Sequence, residues 1–368
     1  MNKFIPIAEP CLNGNELKYI TECIKTGWVS STGSYVVKFE EEFSKFCNAR
    51  YGIACSNGTA ALHLALTSLE IGNHDEVIVP IFTFIATANV VTYTGAKPVF
   101  VDCRRDTWNI DTEKIEEKIT EKTKAIIPVH LYGEPVDMEP ILKIAKKYNL
   151  YVIEDACESH GAKYQGKMVG TIGNVGCFSF YGNKIITTGE GGMVITDDEK
   201  ITSKVKILRD HGMAKDKKYF HPMIGFNYRM TNLQSAIGVA QLEKIDKILQ
   251  KKKEINNLYN SLLSEVKGII LQAHNEKSES VCWMYSVLID EKSCKISRDE
   301  LICKLKEVKI DTRPFFYPIH IMPPYKSNEK FPVAESISKQ GISLPSSVNL
   351  TPKDIERIVM SIKKCIQR

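Results

Sequence analysis

One lysine of the sequence stands where a buried strand would end. The apolar run Cys177–Tyr181 predicts a strand, Gly182-Asn183 breaks it, and Lys184 follows at once. Burial removes the ammonium group of a lysine from water, which lowers its pKa and makes the amine a nucleophile toward carbonyl groups. Lys184 is therefore the first candidate catalytic residue.

A second reactive group precedes this lysine in another strand-like run, Tyr151–Asp155 (YVIED). Successive strand residues face opposite sides, so Glu154 points away from Asp155. Ligands of parallel α/β sheets bind at the carboxyl ends of the strands. A carboxylate and a lysine from neighbouring strand ends are what pyridoxal phosphate requires, one to keep the ring nitrogen protonated and one to bind the aldehyde. The residue types leave an alternative open, in which Lys184 is a surface lysine and Asp155 is a helix N-cap.

A turn of small residues, Ser56-Asn57-Gly58-Thr59, joins the predicted strand 51–55 to the predicted helix 60–69. Backbone N–H groups at such a turn can reach an anion, and the helix dipole favours its negative charge. Gly58 and Thr59 are therefore candidates for binding a cofactor phosphate. The alternative is a simple capped turn, in which Ser56 or Thr59 satisfies the helix start.

Composition restricts the class of protein. The net charge of +5 is small for 368 residues, which suits anionic small molecules and does not argue for nucleic acid. Eleven cysteines without a CxxC pair favour reduced, buried thiols over disulfides or zinc. No apolar run is long enough for a signal peptide or a membrane span. We expect a cytoplasmic protein with no metal site.

The predicted elements alternate between strand and helix. Over about 150 residues this alternation predicts a doubly wound, mixed but mostly parallel sheet. The first helix, 15–26, places Leu17, Ile20 and Ile24 on one face. A large domain, 1–245, and a smaller α+β domain, 246–368, are expected to meet within one continuous helix, 241–263.

Several segments resemble one enzyme family. SFYGNKIITTGEGG and EDACESHGAKYQGK are similar to the DegT/StrS-type sugar-nucleotide aminotransferases, which are pyridoxal phosphate enzymes with the aspartate-aminotransferase fold (fold type I). SNGTAALHLAL, GFNYRMTNLQSAIGVAQLE and RPFFYPIHIMPPY continue the resemblance in the family's order, from about Pro6 to Leu350. Some relatives that dehydrate the sugar carry histidine at the lysine position, so Lys184 favours transamination. The likeness is nearest to the 4-aminotransferases of GDP-4-keto-6-deoxymannose.

The resemblance implies roles around the cofactor. Ser179 joins Gly58 and Thr59 at the phosphate, and Phe84 stacks on the ring, with Phe82 as its rival. Glu158 occupies the place where many relatives carry a glutamine near the phenolic oxygen of the ring. Asn227 contacts the phosphate bound to the other subunit of a homodimer with shared active sites. A turn residue at Asn227 is the simpler alternative.

Other residues are candidates for the substrate wall. The prolines Pro314, Pro318 and Pro323 fix a rigid loop that, by resemblance, borders the substrate. A structural proline loop, a surface ion pair of Arg229 and a structural role for His160 remain open alternatives. The candidate substrate-binding residues are Trp28, His160, Arg229, Arg313, Tyr317 and His320.

The function implied is transfer of an amino group from L-glutamate to C4 of a nucleotide-linked 4-keto-6-deoxyhexose. Lys184 would act first as nucleophile and then as base. The product would serve synthesis of a surface glycan, such as the O-antigen of lipopolysaccharide. The alternatives are a UDP- or dTDP-linked substrate (viosamine-type), 3-amination, a pyridoxal phosphate sugar dehydratase, a regulator without turnover, and a nucleotide-binding α/β protein without pyridoxal phosphate.

Overall fold

The computed structural model describes residues 3–366. Its α-helices are α1 (Glu16–Thr26), α2 (Ser34–Cys47), α3 (Gly58–Ser68), α4 (Ala86–Tyr93), α5 (Met138–Tyr148), α6 (Glu199–Leu208), α7 (Asn232–Leu242), α8 (Ile245–Leu263), α9 (Glu291–Cys294), α10 (Arg298–Glu307), α11 (Pro332–Gln340) and α12 (Pro352–Ile366). Its strands are β1 (Tyr51–Cys55), β2 (Glu76–Pro80), β3 (Lys97–Val101), β4 (Thr123–Ile126), β5 (Tyr151–Asp155), β6 (Lys163–Tyr164), β7 (Lys167–Met168), β8 (Val175–Ser179), β9 (Gly192–Thr196), β10 (Ile269–Leu271), β11 (Ser278–Glu279), β12 (Tyr285–Ile289), β13 (Arg313–Pro314) and β14 (Gly341–Leu344).

A seven-stranded sheet forms the centre of the larger lobe, in the order β1-β9-β8-β5-β4-β2-β3. Five of its strands, β8, β5, β4, β2 and β3, are mutually parallel. The strand β9 runs antiparallel to both β1 and β8. The predicted mixed, mostly parallel sheet is therefore confirmed. Its topology brings the carboxyl ends of β5 and β8 side by side.

Helices cover both faces of this sheet because its strands are apolar on both sides. In β8, Cys177 packs into a core formed with α3 and α6, whereas Phe178 packs into the opposite core with α2 and α7. The aromatic residues Phe39 and Phe43 of α2 are fully buried there. The sheet is thus held rigidly from two sides, which fixes its strand ends.

The smaller lobe is an α+β unit. Its antiparallel sheet, β10-β12-β14-β13, packs with α8, α10 and α12 around a separate apolar core. Ile5 belongs to this core, although it lies near the start of the chain. The Ile5 N–H donates to the Lys309 carbonyl at 2.9 Å, and the Asp311 N–H donates to the Ile5 carbonyl at 2.9 Å. The α+β character is as expected, while the boundary between residues 245 and 246 stays a prediction.

The predicted continuous helix over 241–263 is interrupted. The helix α7 ends at Leu242, and α8 begins at Ile245 after Lys244 leaves helical geometry (φ −123°, ψ 13°). The Lys244 amine donates to the Cys11 carbonyl at 2.6 Å and pairs with Glu16 at 2.6 Å. These tertiary contacts end the helix without a glycine or proline, so the sequence carries no breaker signal.

The described residues of the chain cover the apolar side of α1 only in part, and Ile20 on this side is half-buried. Leu17 is 77% exposed and Ile24 is 63% exposed, whereas Glu16 and Cys23 on the other side are buried. The helix packs on α7 through that other side, where Gln241 and Lys244 bind the Glu16 carboxylate. The predicted amphipathic helix is therefore present, with Leu17 and Ile24 facing outward.

Candidate active site

The carboxyl ends of the central strands surround a cavity of about 620 Å³. Its position matches the place where parallel α/β sheets bind ligands. Seven of the predicted site residues line it, namely Gly58, Thr59, Phe84, Asp155, Glu158, Ser179 and Lys184. Polar and aromatic residues that the sequence analysis did not single out for the site also line it, including Asn57, Thr87, Cys157, Tyr181, Asn183, Tyr228, Trp283 and Phe316.

Asp155 is the last residue of β5 and is buried at the cavity. Its Oδ2 accepts a hydrogen bond from the Thr87 hydroxyl at 2.8 Å, and its Oδ1 accepts one from the Cys157 N–H at 3.3 Å. Both donors are uncharged. A buried carboxylate is stable only when a positive charge or several donors compensate for lost water. Asp155 is therefore ready to bind a cationic group, such as a protonated pyridine nitrogen, inside the cavity.

Lys184 follows the end of β8 on a tight turn. Its N–H donates to the Tyr181 carbonyl at 2.9 Å, and only 12% of its side chain is exposed. Its Nζ lies 3.7 Å from the Glu158 Oε1 and 3.8 Å from the centroid of the Trp283 ring. An ammonium is attracted to both a carboxylate and the face of an indole. The amine is thus held inside the cavity, as the sequence predicts.

Glu158 connects Lys184 to the loop after β4. Its Oε2 accepts the Tyr132 N–H at 2.8 Å. Burial raises the pKa of the Glu158 carboxyl, and the charge of Lys184 opposes part of this effect. A carboxyl that keeps its proton can donate a hydrogen bond to a phenolic oxygen, as a glutamine amide would. The geometry is therefore compatible with the cofactor contact predicted for Glu158.

The start of α3 has the features of an anion site. Asn57 is the N-cap, because its Oδ1 accepts the Ala60 N–H at 2.8 Å, so neither Ser56 nor Thr59 has the capping role. The amides of Gly58 and Thr59 lie in the first helical turn, where the helix offers no acceptor. A Cβ on Gly58 would approach the Ser179 Cβ to 2.7 Å, which explains why a glycine is needed. A phosphate fits these donors.

The structure distinguishes the two candidate aromatic rings. Phe84 lines the cavity and is 54% exposed, whereas Phe82 is 1% exposed in the core. Of these two rings, Phe84 is therefore the one that can contact a bound cofactor. Phe316 also lines the cavity, with its ring centroid 5.8 Å from that of Phe84. An anion site, an unpaired buried carboxylate, a lysine and aromatic walls together fit pyridoxal phosphate.

Asn227 and Arg229 lie outside the cavity of this chain. The Asn227 side chain is exposed, and its Oδ1 accepts from the Arg229 Nη2 at 3.3 Å. The Arg229 Nη1 lies 2.9 Å from the Asp210 carboxylate. The ion pair left open as an alternative is therefore present. A role for either residue at a second copy's cavity stays a prediction.

Three candidate substrate residues are exposed and do not line the cavity. Trp28 and Tyr317 present their rings to solvent, and Arg313 pairs with Asp311 at 2.6 Å. The predicted proline loop is irregular, with short 3-10 turns at Ile319–Ile321 and Pro323–Tyr325. Contact with a substrate stays a prediction for all three side chains.

The two candidate histidines lie away from the lining of the cavity. The ring of His160 is fully buried among Phe43, Phe178 and Phe180, and this burial lowers its pKa to about 3. His320 is also buried, with its Nε2 3.3 Å from the Glu335 carboxylate. Neither ring lines the cavity, because each side chain points into the protein interior. Contact with a substrate stays a prediction for both rings, and the structural role left open for His160 agrees with its burial.

Two cavity residues that contact the predicted site escaped the sequence analysis. Thr87 lies in the first turn of α4, and its contact with Asp155 spans 68 residues of sequence. Trp283 lies 100 residues after Asn183, whose carbonyl accepts from its Nε1 at 2.7 Å. A helix start beside a strand end is a weak signal for Thr87. No local pattern indicates Trp283.

Neither a metal centre nor a membrane helix is found in residues 3–366. No group of three or more His, Cys, Asp or Glu side chains there could hold a metal ion. In the same range, no helix has both the length and the apolarity to cross a membrane. Buried cysteines such as Cys47, Cys55 and Cys177 are free thiols.

Comparisons with known proteins agree with this site. The GDP-perosamine synthases of Caulobacter vibrioides and of Escherichia coli O157:H7 are each 46% identical to the chain over 365 residues, covering 98% of both sequences. The PLP-form of the putative sugar aminotransferase Spr1654 from Streptococcus pneumoniae superposes with a TM-score of 0.93 at 28% identity, covering 99% of both chains.

The family assignment follows from the whole chain. The profile of the DegT/DnrJ/EryC1/StrS aminotransferase family matches residues 10–363. The protein is a sugar-nucleotide aminotransferase that uses pyridoxal phosphate, and the aspartate-aminotransferase-like fold is confirmed. The chain belongs to the DegT/DnrJ/EryC1/StrS aminotransferase family.

Proposed function

We propose that the protein transfers the amino group of L-glutamate to C4 of a nucleotide-linked 4-keto-6-deoxyhexose, with GDP-4-keto-6-deoxymannose as the preferred acceptor. The similarity to GDP-perosamine synthases over 98% of the chain supports this choice of nucleotide and sugar. The observation that carries the catalytic part is the meeting of Lys184 and Asp155 in one cavity, at the ends of the adjacent strands β5 and β8.

Each residue of the cavity has a separate role in the proposed reaction. Pyridoxal phosphate, when bound, supplies an electron-accepting ring for proton transfer at the α-carbon of the amino acid. Asp155 keeps a proton on the ring nitrogen, because its charge is otherwise unpaired in the cavity. The Lys184 amine binds the cofactor aldehyde and, once released, carries the proton between the reacting carbons. Glu158 and Trp283 keep this amine within reach.

Other groups bind and enclose the reactants. The first-turn amides of Gly58 and Thr59, with the Ser179 hydroxyl, bind the cofactor phosphate. Phe84 packs against the cofactor ring and helps to exclude water. The exposed positive charge of Arg313 suits the diphosphate of a nucleotide sugar. The outer part of the site would be completed by three further side chains, Trp28, Tyr317 and Arg229.

We further propose that two copies of the chain form a homodimer. Apolar side chains exposed on the single chain, such as Leu17, Ile24 and Ile224, would be covered by a second copy. Asn227 would then reach the phosphate in the cavity of that copy. The proposal also includes a cytoplasmic location, where free thiols such as Cys47 persist. The amino sugar would enter the O-antigen of lipopolysaccharide or another surface glycan.

A substrate panel tests the assignment. The purified protein receives L-glutamate and a GDP-, UDP- or dTDP-linked 4-keto-6-deoxy sugar, and each product is identified by NMR and mass spectrometry. We expect a 4-amino sugar from the GDP substrate and no product from Lys184→Ala, which also loses the absorbance of the cofactor–lysine imine. Turnover of a UDP substrate alone would refute the GDP assignment. A product that lacks a ring hydroxyl would refute transamination.

A further inference from the structure

A second buried lysine lies behind the cavity. Lys252 of α8 is buried, and its Nζ donates to the Trp283 carbonyl at 2.8 Å and to the Ser346 carbonyl at 2.5 Å. Both acceptors are uncharged. Burial lowers the pKa of this lysine to about 8. Placing an ammonium in such surroundings costs free energy of folding, so this position calls for an explanation beyond stability.

The segment that Lys252 binds reaches the reactive amine. The Trp283 N–H donates to the Tyr132 carbonyl at 3.0 Å, so the backbone of Trp283 is fixed on both sides of its side chain. The indole Nε1 donates to the Asn183 carbonyl at 2.7 Å, and the ring centroid lies 3.8 Å from the Lys184 Nζ. Trp283 therefore contacts both the backbone before Lys184 and the amine itself.

We propose that Lys252 is a positioning residue, which fixes the Trp283 carbonyl and thereby holds the indole against Lys184. The inference rests on the role of Lys184 proposed above. Lys252 lies on α8 of the smaller lobe and also binds Ser346 of that lobe, so it ties the segment of Trp283 to the segment of Ser346. When no covalent bond joins the two, this arrangement would keep the Lys184 amine directed toward a bound cofactor.

The expected size of the effect follows from the freedom of a lysine side chain. Four rotatable bonds separate its amine from the backbone, and ordering them costs conformational entropy. Because the Trp283 indole already holds the amine near the reacting aldehyde, this cost is avoided at each turnover. Loss of the contact with Trp283 should slow capture of the aldehyde by about tenfold.

The experiment follows imine formation in the apoprotein rather than turnover. Pyridoxal phosphate is added to apoprotein, and the absorbance of the imine is recorded by stopped flow. Lys252→Met, which keeps the apolar stem and removes the donor, should form the imine about tenfold more slowly. If this variant is not recovered folded, Lys252→Gln is measured with the same expectation, because its shorter amide cannot span both carbonyls.

A matched control is available on the same helix. Tyr259 is buried in α8, and its hydroxyl donates to the Pro345 carbonyl at 2.9 Å, next to Ser346 but away from Trp283. Tyr259→Phe removes a buried donor without touching the cavity wall, so it should lower the melting temperature and leave the rate of imine formation unchanged. An equal slowing in Tyr259→Phe, or a wild-type rate in Lys252→Met, would overturn the proposal.

Coupling to Trp283 gives an independent measurement. Trp283→Leu should slow imine formation at least as much as Lys252→Met, and the double variant should be no slower than Trp283→Leu alone. Additive slowing would overturn the proposed route through Trp283. Lys184→Ala separates the two proposals, since an imine that persists in it refutes the role of Lys184, whereas a wild-type rate in Lys252→Met refutes only the role of Lys252.

Discussion

Two consecutive carboxylates, Glu154 and Asp155, end the same strand and face opposite sides of the sheet. Glu154 is fully buried, and its oxygens accept from the imidazole of His130 at 3.0 Å and from three backbone N–H groups at 2.6–2.7 Å. These belong to Gly170, Ile172 and Gly173. Among the described residues, the Asp155 carboxylate accepts hydrogen bonds from the Thr87 hydroxyl and from Cys157, and its remaining surroundings are the cavity.

The comparison shows what separates a structural carboxylate from a functional one. Four fixed donors satisfy Glu154 completely, so it has no capacity left for a ligand and serves to anchor the 170–173 turn against the strand. Asp155 has the same chemistry and similar burial with fewer donors. Incomplete compensation by the protein, rather than burial itself, is what makes Asp155 available to a cationic ring nitrogen.

The largest effect is expected for Asp155→Asn, which should lower kcat by about 10³-fold or more, because a neutral amide does not keep the ring nitrogen protonated. The amide oxygen can still accept the Cys157 N–H, and the Thr87 hydroxyl can turn to accept from the amide NH₂, so the melting temperature should change little. Steady-state kinetics and calorimetry on one preparation measure both quantities. Full activity in this variant would remove Asp155 from the mechanism.

Glu154→Gln should give the opposite result. It turns an acceptor of four hydrogen bonds into a group whose NH₂ faces backbone donors, which should reduce the free energy of unfolding by about 3 kcal/mol. The fraction that stays folded should retain kcat, since Glu154 does not reach the cavity. Chemical denaturation checks the first value, and active-site titration with kinetics checks the second. A stable but inactive variant would contradict the comparison.

The smallest effect concerns Glu158, a third carboxylate, which lines the cavity. Because burial raises its pKa above 4.5, the unfolded chain releases this proton at a lower pH than the folded chain does. Stability therefore falls as pH rises from 4.5 through the folded-state pKa. Glu158→Gln removes this penalty, so it should melt at a higher temperature than wild type at pH 7, with little difference near pH 4. Melting curves across this range provide the test, and a lower melting temperature at pH 7 would exclude the penalty.

The part of the site that sequence predicts is the part built from strand ends. Lys184, Asp155 and the turn at Gly58 each combine a local break in an apolar run with a reactive or small residue, and parallel topology then brings them together. The alternation of faces in YVIED likewise separates Glu154 from Asp155. In each case, the chemistry and the element that positions it lie within a few residues of each other.

The parts that sequence did not predict depend on contacts between distant segments. Trp283 reaches Lys184 from another lobe, and the helix break at Lys244 depends on bonds to Cys11 and Glu16. His160 follows Asp155 closely in sequence, yet its ring packs into the core behind the sheet. Periodicity also places Leu17 and Ile24 on one face without indicating what covers them. These outcomes depend on tertiary packing, which local patterns do not encode.

The backbone hydrogen bonds of Ile5 with Lys309 and Asp311 have a consequence for the time at which the smaller lobe can fold. Ile7, two residues later, donates its N–H to Asp311, a partner 304 positions further along the chain. During translation, this segment leaves the ribosome long before the groups that it must bind exist. The smaller lobe therefore completes its core only after the segment around Asp311 has been synthesised.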